Sequence, residues 1–163
     1  MSGMKIAVLA DSHIPKRARD LPAHAWNIIN SCEAIIHAGD VLTEEFLKRL
    51  RTVAPLYAVR GNNDLTLPHL PQTLEINLDG CLIAVIHDSG DKKRRAARLR
   101  KRFPNAQVVV FGHSHIPQIE WHDGQLMLNP GSATDRRMQP HYTMAVLHTN
   151  SRNVHAELIK LER

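Results

Sequence analysis

The sequence predicts an α/β protein with buried strands and a mixed β-sheet. Two observations support this prediction. In the first half of the chain, short apolar runs rich in β-branched residues alternate with amphipathic stretches, which is the pattern of β-α-β units. Further along, Asp-Gly pairs at 79–80 and 123–124 separate strand-like runs, and this pair is a strong signal for a tight β-hairpin.

Five apolar runs of strand length each end at a polar residue. Their β-branched content and their length are typical of buried strands. The runs are KIAVLAD ending at Asp11, AIIHAGD at Asp40, PLYAVRGN at Asn62, CLIAVIH at His87 and QVVVFGH at His113. We therefore expect five buried strands that deliver polar side chains at their carboxyl ends.

The intervals between the first three runs have helical character. Pro22 suits the first position of one helix, because its fixed φ is compatible with that position. Thr43 suits the N-cap of a second helix, whose first turn carries Glu44 and Glu45 next to the positive end of the helix dipole. The first half of the chain should therefore read β-α-β-α-β.

Length and composition limit the class of protein. With 163 residues, of which 43% are hydrophobic, we expect one domain over residues 1–163. Membrane spans need roughly 18 apolar residues in a row, and Asp11 comes too early for a signal peptide, so we expect a soluble, cytoplasmic protein without a membrane partner. Cys32 and Cys81 lie in apolar surroundings typical of reduced buried thiols, so metal ligands must be His, Asp or Asn.

The positive charge of the chain is local. The formal net charge is +5, and the segment 92–102 alone holds eight of the 21 basic residues. Ala96, Leu99 and Phe103 follow helical spacing, so a short helix should dock this stripe and expose its cations. Such a surface attracts anions, including nucleic acid, but an aromatic content of 4% gives no support for single-strand stacking.

The polar residues after the strands form a candidate metal site, because ligands of open α/β sheets bind beyond the carboxyl ends of the strands. The set contains two carboxylates, one amide and four imidazoles, which is enough for two ions. A carboxylate has two oxygens and can bridge, whereas a neutral imidazole offers one lone pair, so Asp40 is the natural bridge. The set is Asp11, His13, Asp40, Asn62, His87, His113 and His115.

The spacing within two motifs supports convergence on one site. In Asp11-x-His13 and His113-x-His115, positions i and i+2 of an extended segment lie on the same side. A serine nucleophile is a weak alternative, since Ile116 stands where a Gly-x-Ser-x-Gly elbow has its second glycine. A histidine-metal (β/α)₈ barrel needs about 250 residues, which exceeds this chain.

The ordered motifs resemble those of the calcineurin-like metallophosphoesterases. The shared motifs are Asp-x-His at 11–13, Gly-Asp at 39–40, Gly-Asn-x-Asp at 61–64, His87 and Gly-His-x-His at 112–115. The compact length and NPGS at 129–132 are most similar to the small bacterial and archaeal phosphodiesterase branch, which shares its fold with a retromer subunit. The resemblance covers nearly the whole chain and implies a four-layer α/β/β/α sandwich of two mixed β-sheets flanked by helices.

The resemblance also implies how the ligands divide between two metal ions. The first ion would take Asp11, His13, Asp40 and His115, and the second would take Asp40, Asn62, His87 and His113. The implied activity is a divalent-metal-dependent phosphodiesterase in which a hydroxide bridging the ions attacks phosphorus. Because oxygen and imidazole ligands suit borderline ions, we expect Mn²⁺, with Fe²⁺, Zn²⁺ or Ni²⁺ as alternatives.

The chain departs from the family pattern in two places. Many relatives have a histidine where this chain has Asn63, and Asp88 rather than glycine follows His87. Asn63 cannot deliver a proton, so leaving groups that need little protonation should be favoured, or Asp64, Asp88 or a metal-bound water serves as the acid. Catalytic roles are expected for Asp40, Asn62 and Asp64, substrate contacts for Asn63 and Arg136, and supporting or phosphate contacts for His37, His69, Asn129, Ser132 and Arg137.

The leading interpretation is a phosphodiesterase acting on a small organic phosphodiester or a nucleotide. Two alternatives stay open. One is a protein-binding scaffold that holds ions with little catalysis, as the retromer relative implies, and the other is a nuclease, as the basic segment suggests. The sequence leaves the physiological substrate, the native metal and homo-oligomer formation undecided.

Overall fold

The computed structural model describes residues 3–151 and 153–162, in which two five-stranded sheets pack face to face. The strands alternate with three helices. In chain order the elements are β1 (Met4–Leu9), α1 (Ala23–Asn30), β2 (Ala34–His37), α2 (Glu44–Val53), β3 (Leu56–Ala58), β4 (Thr73–Leu78), β5 (Cys81–Ile86), α3 (Arg95–Arg102), β6 (Val108–Val110), β7 (Gln118–His122), β8 (Gln125–Asn129), β9 (Tyr142–Asn150) and β10 (Asn153–Leu161).

Both sheets are mixed. The first has the strand order β10-β9-β1-β2-β3, with β1, β2 and β3 parallel and β9 antiparallel to both of its neighbours. The second has the order β4-β5-β6-β8-β7, with β5, β6 and β8 parallel and the two edge strands antiparallel. Parallel neighbours end at the same edge of a sheet, so the loops after β1 and β2, and those after β5 and β6, lie side by side.

The predicted hairpins are confirmed. Asp79 and Gly80 join β4 to β5 with φ of 54° and 79°, and Asp123 and Gly124 join β7 to β8 with φ of 47° and 77°. Positive φ at both central residues matches the right-handed twist of the strands. A third hairpin, β9–β10, turns at Ser151 and lies beside β1 in the first sheet, so the C-terminal strands complete the sheet that the N-terminal strands begin.

Three apolar clusters separate four layers. Between the sheets, side chains such as Val8 and Val85 are fully buried against each other's sheet. Phe46 of α2 belongs to the cluster between the helices and the outer face of the first sheet. Leu99 and Phe103 belong to the cluster that docks α3 on the second sheet. The predicted four-layer sandwich is therefore confirmed, while the single domain over residues 1–163 stays a prediction.

The helix ends follow the local signals closely. The Thr43 hydroxyl accepts a hydrogen bond from the backbone N–H of Phe46 at 3.3 Å, as expected of an N-cap. Pro22 lies at the N-cap of α1, one position earlier than predicted. None of the helices in residues 3–151 and 153–162 combines the length and the apolar character needed to cross a membrane.

The basic helix α3 docks its apolar stripe as predicted, but several of its cations are engaged within the protein. The Arg98 guanidinium donates to the carbonyls of Ser89, at 2.6 and 2.9 Å, and Asp91, at 2.6 Å. Arg95 donates to the Gln118 side chain at 2.7 Å. These arginines fix the loop before α3, so the freely exposed positive surface is smaller than the sequence suggests.

Candidate metal centre

Loops after four strands bring five of the predicted ligands together where the two sheets meet. The His13 and His87 Nε2 atoms lie 3.5 and 3.4 Å from Oδ2 of Asp40. The His87 and His115 Nε2 atoms lie 3.9 and 3.8 Å from Oδ1 of Asp11. Two overlapping triads, Asp11-His13-His115 and Asp11-Asp40-His87, each have their ligand atoms within 4.8 Å of one another. Ligand atoms this close together could hold a cation between them.

The last two predicted ligands extend the same cluster. The Asn62 side-chain oxygen lies 2.9 Å from His87 Nε2 and 3.2 Å from His113 Nδ1. The rings of the two histidines are 5.3 Å apart between centroids. All seven side chains therefore meet in one place, although His113 turns its Nδ1 towards Asn62 and its Nε2 towards Asp88, at 3.9 Å.

The cluster has two unlike halves, which share Asp40. The closed half consists of Asp11, His13 and His115, whose exposure is 0%, 5% and 1%. Among the described residues, both carboxylate oxygens of Asp11 and Nε2 of both histidines have no hydrogen-bond partner. Buried polar atoms are rarely left unpaired because their desolvation is costly. Four such atoms around one space fit a bound divalent cation.

The open half consists of Asn62, His87 and His113. His87 is buried, but Asn62 is exposed and the side chain of His113 is 47% exposed. Here the ligand atoms contact one another, since the Asn62 oxygen is close to both imidazoles. The polar ligand atoms of the open half therefore already have hydrogen-bond partners without an ion.

Backbone carbonyls orient two of the imidazoles. His87 Nδ1 lies 2.7 Å from the Ala38 oxygen, and His115 Nδ1 lies 2.5 Å from the Asp135 oxygen. A carbonyl only accepts, so Nδ1 carries the proton in both rings. The Nε2 lone pair of His115 then faces the cluster, which is the tautomer that a metal ligand requires. Nε2 of His87 also carries a proton while it donates to the Asn62 oxygen, and it must lose that proton to bind an ion.

Five ligands have left-handed backbone conformations, which corrects the expectation of extended segments. The values of φ are 54° for Asp11, 45° for His13, 60° for Asp40, 73° for His113 and 62° for His115. Residues other than glycine rarely adopt this region, and each such residue costs of order 1–3 kcal/mol. Tight turns after the strands, rather than strand alternation, therefore bring the paired side chains together, and strain of this kind clusters at functional sites.

Two glycines of the motifs allow the backbone to approach the ligands closely, a role that the sequence analysis did not assign to them. A Cβ atom on Gly61 would lie 2.2 Å from Oδ1 of Asp40. A Cβ atom on Gly39, whose φ is 101°, would lie 2.6 Å from His87 Nδ1. The available signal was that a glycine directly precedes Asp40 and Asn62.

Asp64 supports the backbone around the site, which corrects the catalytic role predicted for it. Its carboxylate is fully buried and accepts hydrogen bonds from the backbone N–H groups of Asp40, Leu42 and Gly61, at 2.9, 2.8 and 2.8 Å. A carboxylate enclosed by three donors has no access to a substrate. Asp64 therefore links the loop after β2 to the loop after β3.

Asn63 holds the bridging carboxylate. Its backbone N–H donates to Oδ1 of Asp40 at 2.8 Å, and its side-chain amide donates to Oδ2 at 2.9 Å. The substrate contact of Asn63 stays a prediction, and its side-chain amide has a structural role. It fixes the orientation of the carboxylate that the two halves share.

Two adjacent arginines of one loop have different surroundings. The Arg136 guanidinium donates to the Gln139 carbonyl at 2.7 Å and lies 5.6 Å from the centre of the Tyr142 ring, and the substrate contact predicted for Arg136 stays a prediction. Arg137 instead lines a cavity beside His13. Neighbouring residues of a tight loop point in different directions, and a sequence does not reveal which one faces the site.

Two predicted supporting residues hold loops of the site. The Ser132 hydroxyl donates to the Asp11 carbonyl at 2.8 Å. The Asn129 amide lies 3.3 Å from the Gly112 carbonyl and 3.2 Å from the Ser114 hydroxyl. The NPGS segment therefore braces both histidine-bearing loops, and Ser114 is bound away from the ligands.

The two remaining supporting candidates differ. His37 is fully buried, its Nδ1 accepts from the Gly39 N–H at 3.1 Å, and its Nε2 lies 2.8 Å from the Ser12 hydroxyl, so it stabilises two ligand-bearing loops. Burial lowers the pKa of His37 to about 3. His69 instead pairs with Glu44 at 3.1 Å, which corrects the supporting role predicted for it.

The electrostatics of the cluster favour a cation. Burial raises the pKa of Asp11 to about 7, with Asp40 adding to the rise and His87 opposing it. Burial also acts to raise the pKa of Asp40, but hydrogen bonding by His87, its charge and the adjacent loop outweigh burial and hold that pKa well below its usual range. Burial lowers the pKa of His13 and His115, which keeps both rings neutral.

Comparison with known proteins shows the family of the chain. Residues 4–152 match the calcineurin-like phosphoesterase superfamily domain. The chain is 32% identical, over 96% of its length and 92% of the other, to a probable metallophosphoesterase of Methanothermobacter thermautotrophicus. The fold and cluster thus define a member of a metal-dependent phosphoesterase family. The chain belongs to the calcineurin-like phosphoesterase superfamily.

Solved structures share the fold. Vacuolar protein sorting 29 of Cryptosporidium parvum superposes with a TM-score of 0.81 at 18% identity, covering 98% of this chain and 99% of that one. Wild-type Vps29 of Entamoeba histolytica, complexed with zinc, superposes with a TM-score of 0.78 at 23% identity, covering 96% and 99%. At these identities the likeness concerns the fold alone.

Proposed function

We propose that this protein is a phosphodiesterase that uses two divalent ions, with Mn²⁺ as the activating ion. The observation that carries the proposal is the closed half, where four buried ligand atoms of Asp11, His13 and His115 have no hydrogen-bond partner among the described residues. Asp40 lies 3.5 Å from His13 and 3.4 Å from His87, so it is placed to serve both halves.

The ligands divide as the family motifs imply. The first ion would be held by Asp11, His13, Asp40 and His115, and the second by Asp40, Asn62, His87 and His113. Bound divalent ions would supply Lewis-acid activation of water and would neutralise charge on the phosphoryl oxygens. Oxygen and imidazole ligands suit Mn²⁺, Fe²⁺, Zn²⁺ or Ni²⁺.

The residues of the chain orient these ligands before any ion arrives. The Ala38 and Asp135 carbonyls accept from Nδ1–H of His87 and His115 and fix the orientations of both rings. Asn63 fixes the Asp40 carboxylate with two hydrogen bonds. Preorganisation of this kind reduces the cost of assembling the site when the substrate binds.

The preference for a diester rests on the family resemblance, whereas the amide of Asn63 predicts a preference for good leaving groups. An amide does not donate a proton to a leaving alkoxide, and Asp64 is enclosed by backbone donors. Asp88 stays as the proposed proton donor, because its carboxylate is 59% exposed and lies 3.9 Å from His113. Substrates with good leaving groups should therefore react fastest.

We also propose a small phosphodiester or nucleotide as the substrate and the cytoplasm as the location. A cavity of about 400 Å³ adjoins His87 and Asn62, and this volume is in the range of small-molecule sites. The location is supported by the two cysteines, Cys32 and Cys81, which are buried free thiols as expected in a reducing compartment.

The test compares two chromogenic substrates. Metal-stripped protein should hydrolyse bis(4-nitrophenyl) phosphate only when Mn²⁺ is added, and much faster than 4-nitrophenyl phosphate. Asp40→Ala should lose at least about 10³-fold in kcat/KM, since it removes a ligand from both ions. Asp91→Ala, an exposed carboxylate next to the basic segment, is the matched control and should keep its activity. Absence of turnover with Mn²⁺, Fe²⁺, Zn²⁺ and Ni²⁺ alike would overturn the proposal.

A protein-binding role is a second candidate, favoured by exposed apolar side chains at one sheet edge. Ile119 and Trp121 on the edge strand β7 are 39% and 53% exposed, and the nearby Ile116 is 52% exposed. Large exposed apolar residues in one region are typical of interaction surfaces. If Ile119→Ser with Trp121→Ser leaves diester turnover unchanged but raises solubility or shifts the oligomeric state, this edge has a separate role.

A nuclease activity has less support. Arg95 and Arg98 of the basic helix are engaged by Gln118 and by backbone carbonyls, so they are not free for phosphates. Retention on immobilised DNA should be weak at 0.15 M salt, and strong, salt-dependent retention would favour the nuclease.

A further inference from the structure

We propose that the substrate carries a second anionic group, and that a cavity beside the closed half binds it. This inference rests on the proposed phosphodiesterase function and names its substrate class more closely. The cavity measures about 470 Å³. Its lining, called here the cationic cavity, includes His13, Lys16, Arg17, Leu65, Asp135 and Arg137.

The charges of the cationic cavity do not balance. It contains three cations, Lys16, Arg17 and Arg137, and one carboxylate, Asp135. Arg17 is committed to that carboxylate, since its Nε lies 3.6 Å from Asp135 Oδ2. Within residues 3–151 and 153–162, the side chains of Lys16 and Arg137 have no hydrogen-bond or ion-pair partner. Two cations without a direct carboxylate partner, beside the proposed phosphoryl site, are suited to an anion such as a phosphate.

The cationic cavity adjoins the cluster, because one of the proposed metal ligands lines it. His13 itself lines the cavity. An anion held by Lys16 and Arg137 would therefore be close enough to the cluster to belong to the same small molecule as the reacting diester.

Two leucines form an apolar part of the rim of the cationic cavity, and a hydrogen bond joins the loops that carry them. Leu65 is 77% exposed, although a leucine gains from burial, and it faces the cavity together with Leu42. The Thr66 hydroxyl donates to the Leu42 carbonyl at 3.2 Å, which ties the two loops of the rim together. An apolar rim next to cations suits a ligand with an uncharged body and an anionic end, such as a nucleoside that carries a phosphate.

The cavity at the open half differs in this respect, although it also contains two arginines. Arg60 donates to the Asp64 carbonyl at 3.2 Å, and the Arg102 guanidinium lies 5.6 Å from the centre of the Phe103 ring. The carboxylate of Asp88 lines the same cavity. We therefore assign the second anion to the cationic cavity and the other ester arm to the cavity beside His87.

A pair of diesters tests this assignment. Thymidine 5′-(4-nitrophenyl phosphate) and its 3′-phosphorylated form differ only in the second anion. With Mn²⁺-loaded protein, the 3′-phosphorylated form should have a kcat/KM about tenfold higher, as expected for charge-assisted hydrogen bonds. Lys16→Ala and Arg137→Ala should each bring this ratio towards one. Lys48→Ala removes a lysine on α2 that is also exposed and should keep the ratio.

A binding measurement separates the failure of this inference from failure of the proposed function. By calorimetry, thymidine 3′,5′-bisphosphate should bind about tenfold more tightly than thymidine 5′-monophosphate, and Lys16→Ala should remove the difference. If neither diester is hydrolysed, the phosphodiesterase proposal fails and this binding difference alone decides the inference. Equal affinities for the two thymidine nucleotides would overturn the inference of a second anion site. An equally large loss of the affinity difference in Lys48→Ala would overturn it as well. Tighter binding of a thymidine oligonucleotide would also overturn it in favour of a nucleic-acid strand.

Discussion

The closed half and the open half of the cluster use similar ligands in opposite surroundings. Asp11, His13 and His115 are buried, and in the described part of the chain their ligand atoms have no hydrogen-bond partner. In the open half, the exposed Asn62 oxygen already contacts the imidazoles of His87 and His113. An ion in the closed half would give the ligand atoms partners that they otherwise lack. An ion in the open half must instead replace the contacts between the Asn62 oxygen and the two imidazoles.

This difference predicts the relative affinities and exchange rates of the two bound ions. Leaving a buried polar atom unpaired costs about 1–3 kcal/mol, so the closed half recovers that cost when an ion binds. The open half recovers little, because its groups are already satisfied by one another or by solvent. We infer that the ion of the closed half binds more tightly and that the ion of the open half exchanges more readily.

The largest expected effect is the loss of Mn²⁺ affinity when one histidine of each half is substituted. His115→Asn keeps a donor near the Asp135 carbonyl but removes Nε2, so the Mn²⁺ affinity of the tighter site should fall by about 100-fold or more. His113→Asn should weaken only the other site, by about tenfold. Equilibrium dialysis against Mn²⁺ measures both affinities, and equal losses in the two variants would break the comparison.

Asp64→Asn should affect both halves together. Both carboxylate oxygens of Asp64 accept backbone hydrogen bonds, and an asparagine must place an N–H₂ group against at least one of these donors. We expect a loss of about 1–3 kcal/mol in unfolding free energy, with weaker Mn²⁺ binding at both sites. Urea denaturation checks the first effect, and the exposed Asp91→Asn serves as a control for the loss of charge. An unchanged unfolding free energy would show that Asp64 does not support the site.

The smallest expected effect concerns His37, which lies behind the ligands. Burial lowers its pKa from 6.5 to about 3, so between these values the unfolded chain binds a proton that the folded chain does not. The stability contributed by neutral His37 is therefore complete above pH 6.5 and falls as the pH decreases, by about 1 kcal/mol per pH unit.

His37→Asn isolates this effect in metal-free protein. Asp11 has the opposite linkage, because burial raises its pKa to about 7 and its contribution is lost as the pH rises through that value. The two effects overlap, so we compare variant and wild type at each pH. The stability difference between them should shrink from pH 6.5 to pH 4.5, and a constant difference would contradict the assigned protonation of His37.

Much of the framework could be predicted because its signals are local. The strand ends at Asp11, Asp40 and His87 follow from apolar runs, and the hairpin at Asp79-Gly80 follows from its turn residues. The number of layers came from the resemblance instead. Hairpin signals do not reveal which sheet a hairpin joins, so the return of β9 and β10 to β1 was not predictable.

The fine geometry of the site depends on contacts between distant segments. The ligand residues were predicted from their types and positions, but the left-handed turns at Asp11 and His115 were not, since they arise where loops from two sheets meet. The enclosure of Asp64 depends on backbone N–H groups, which have no sequence signature. The orientation of Arg137 rather than Arg136 towards the cavity is likewise set by one tight loop.

The most direct test of the central claim is anomalous diffraction from crystals grown with limiting and with excess Mn²⁺. With limiting Mn²⁺, we predict one anomalous peak among Asp11, His13, Asp40 and His115. With excess Mn²⁺, a second peak should appear beside Asn62, His87 and His113. No peak at the cluster, or filling of the open half first, would contradict the account.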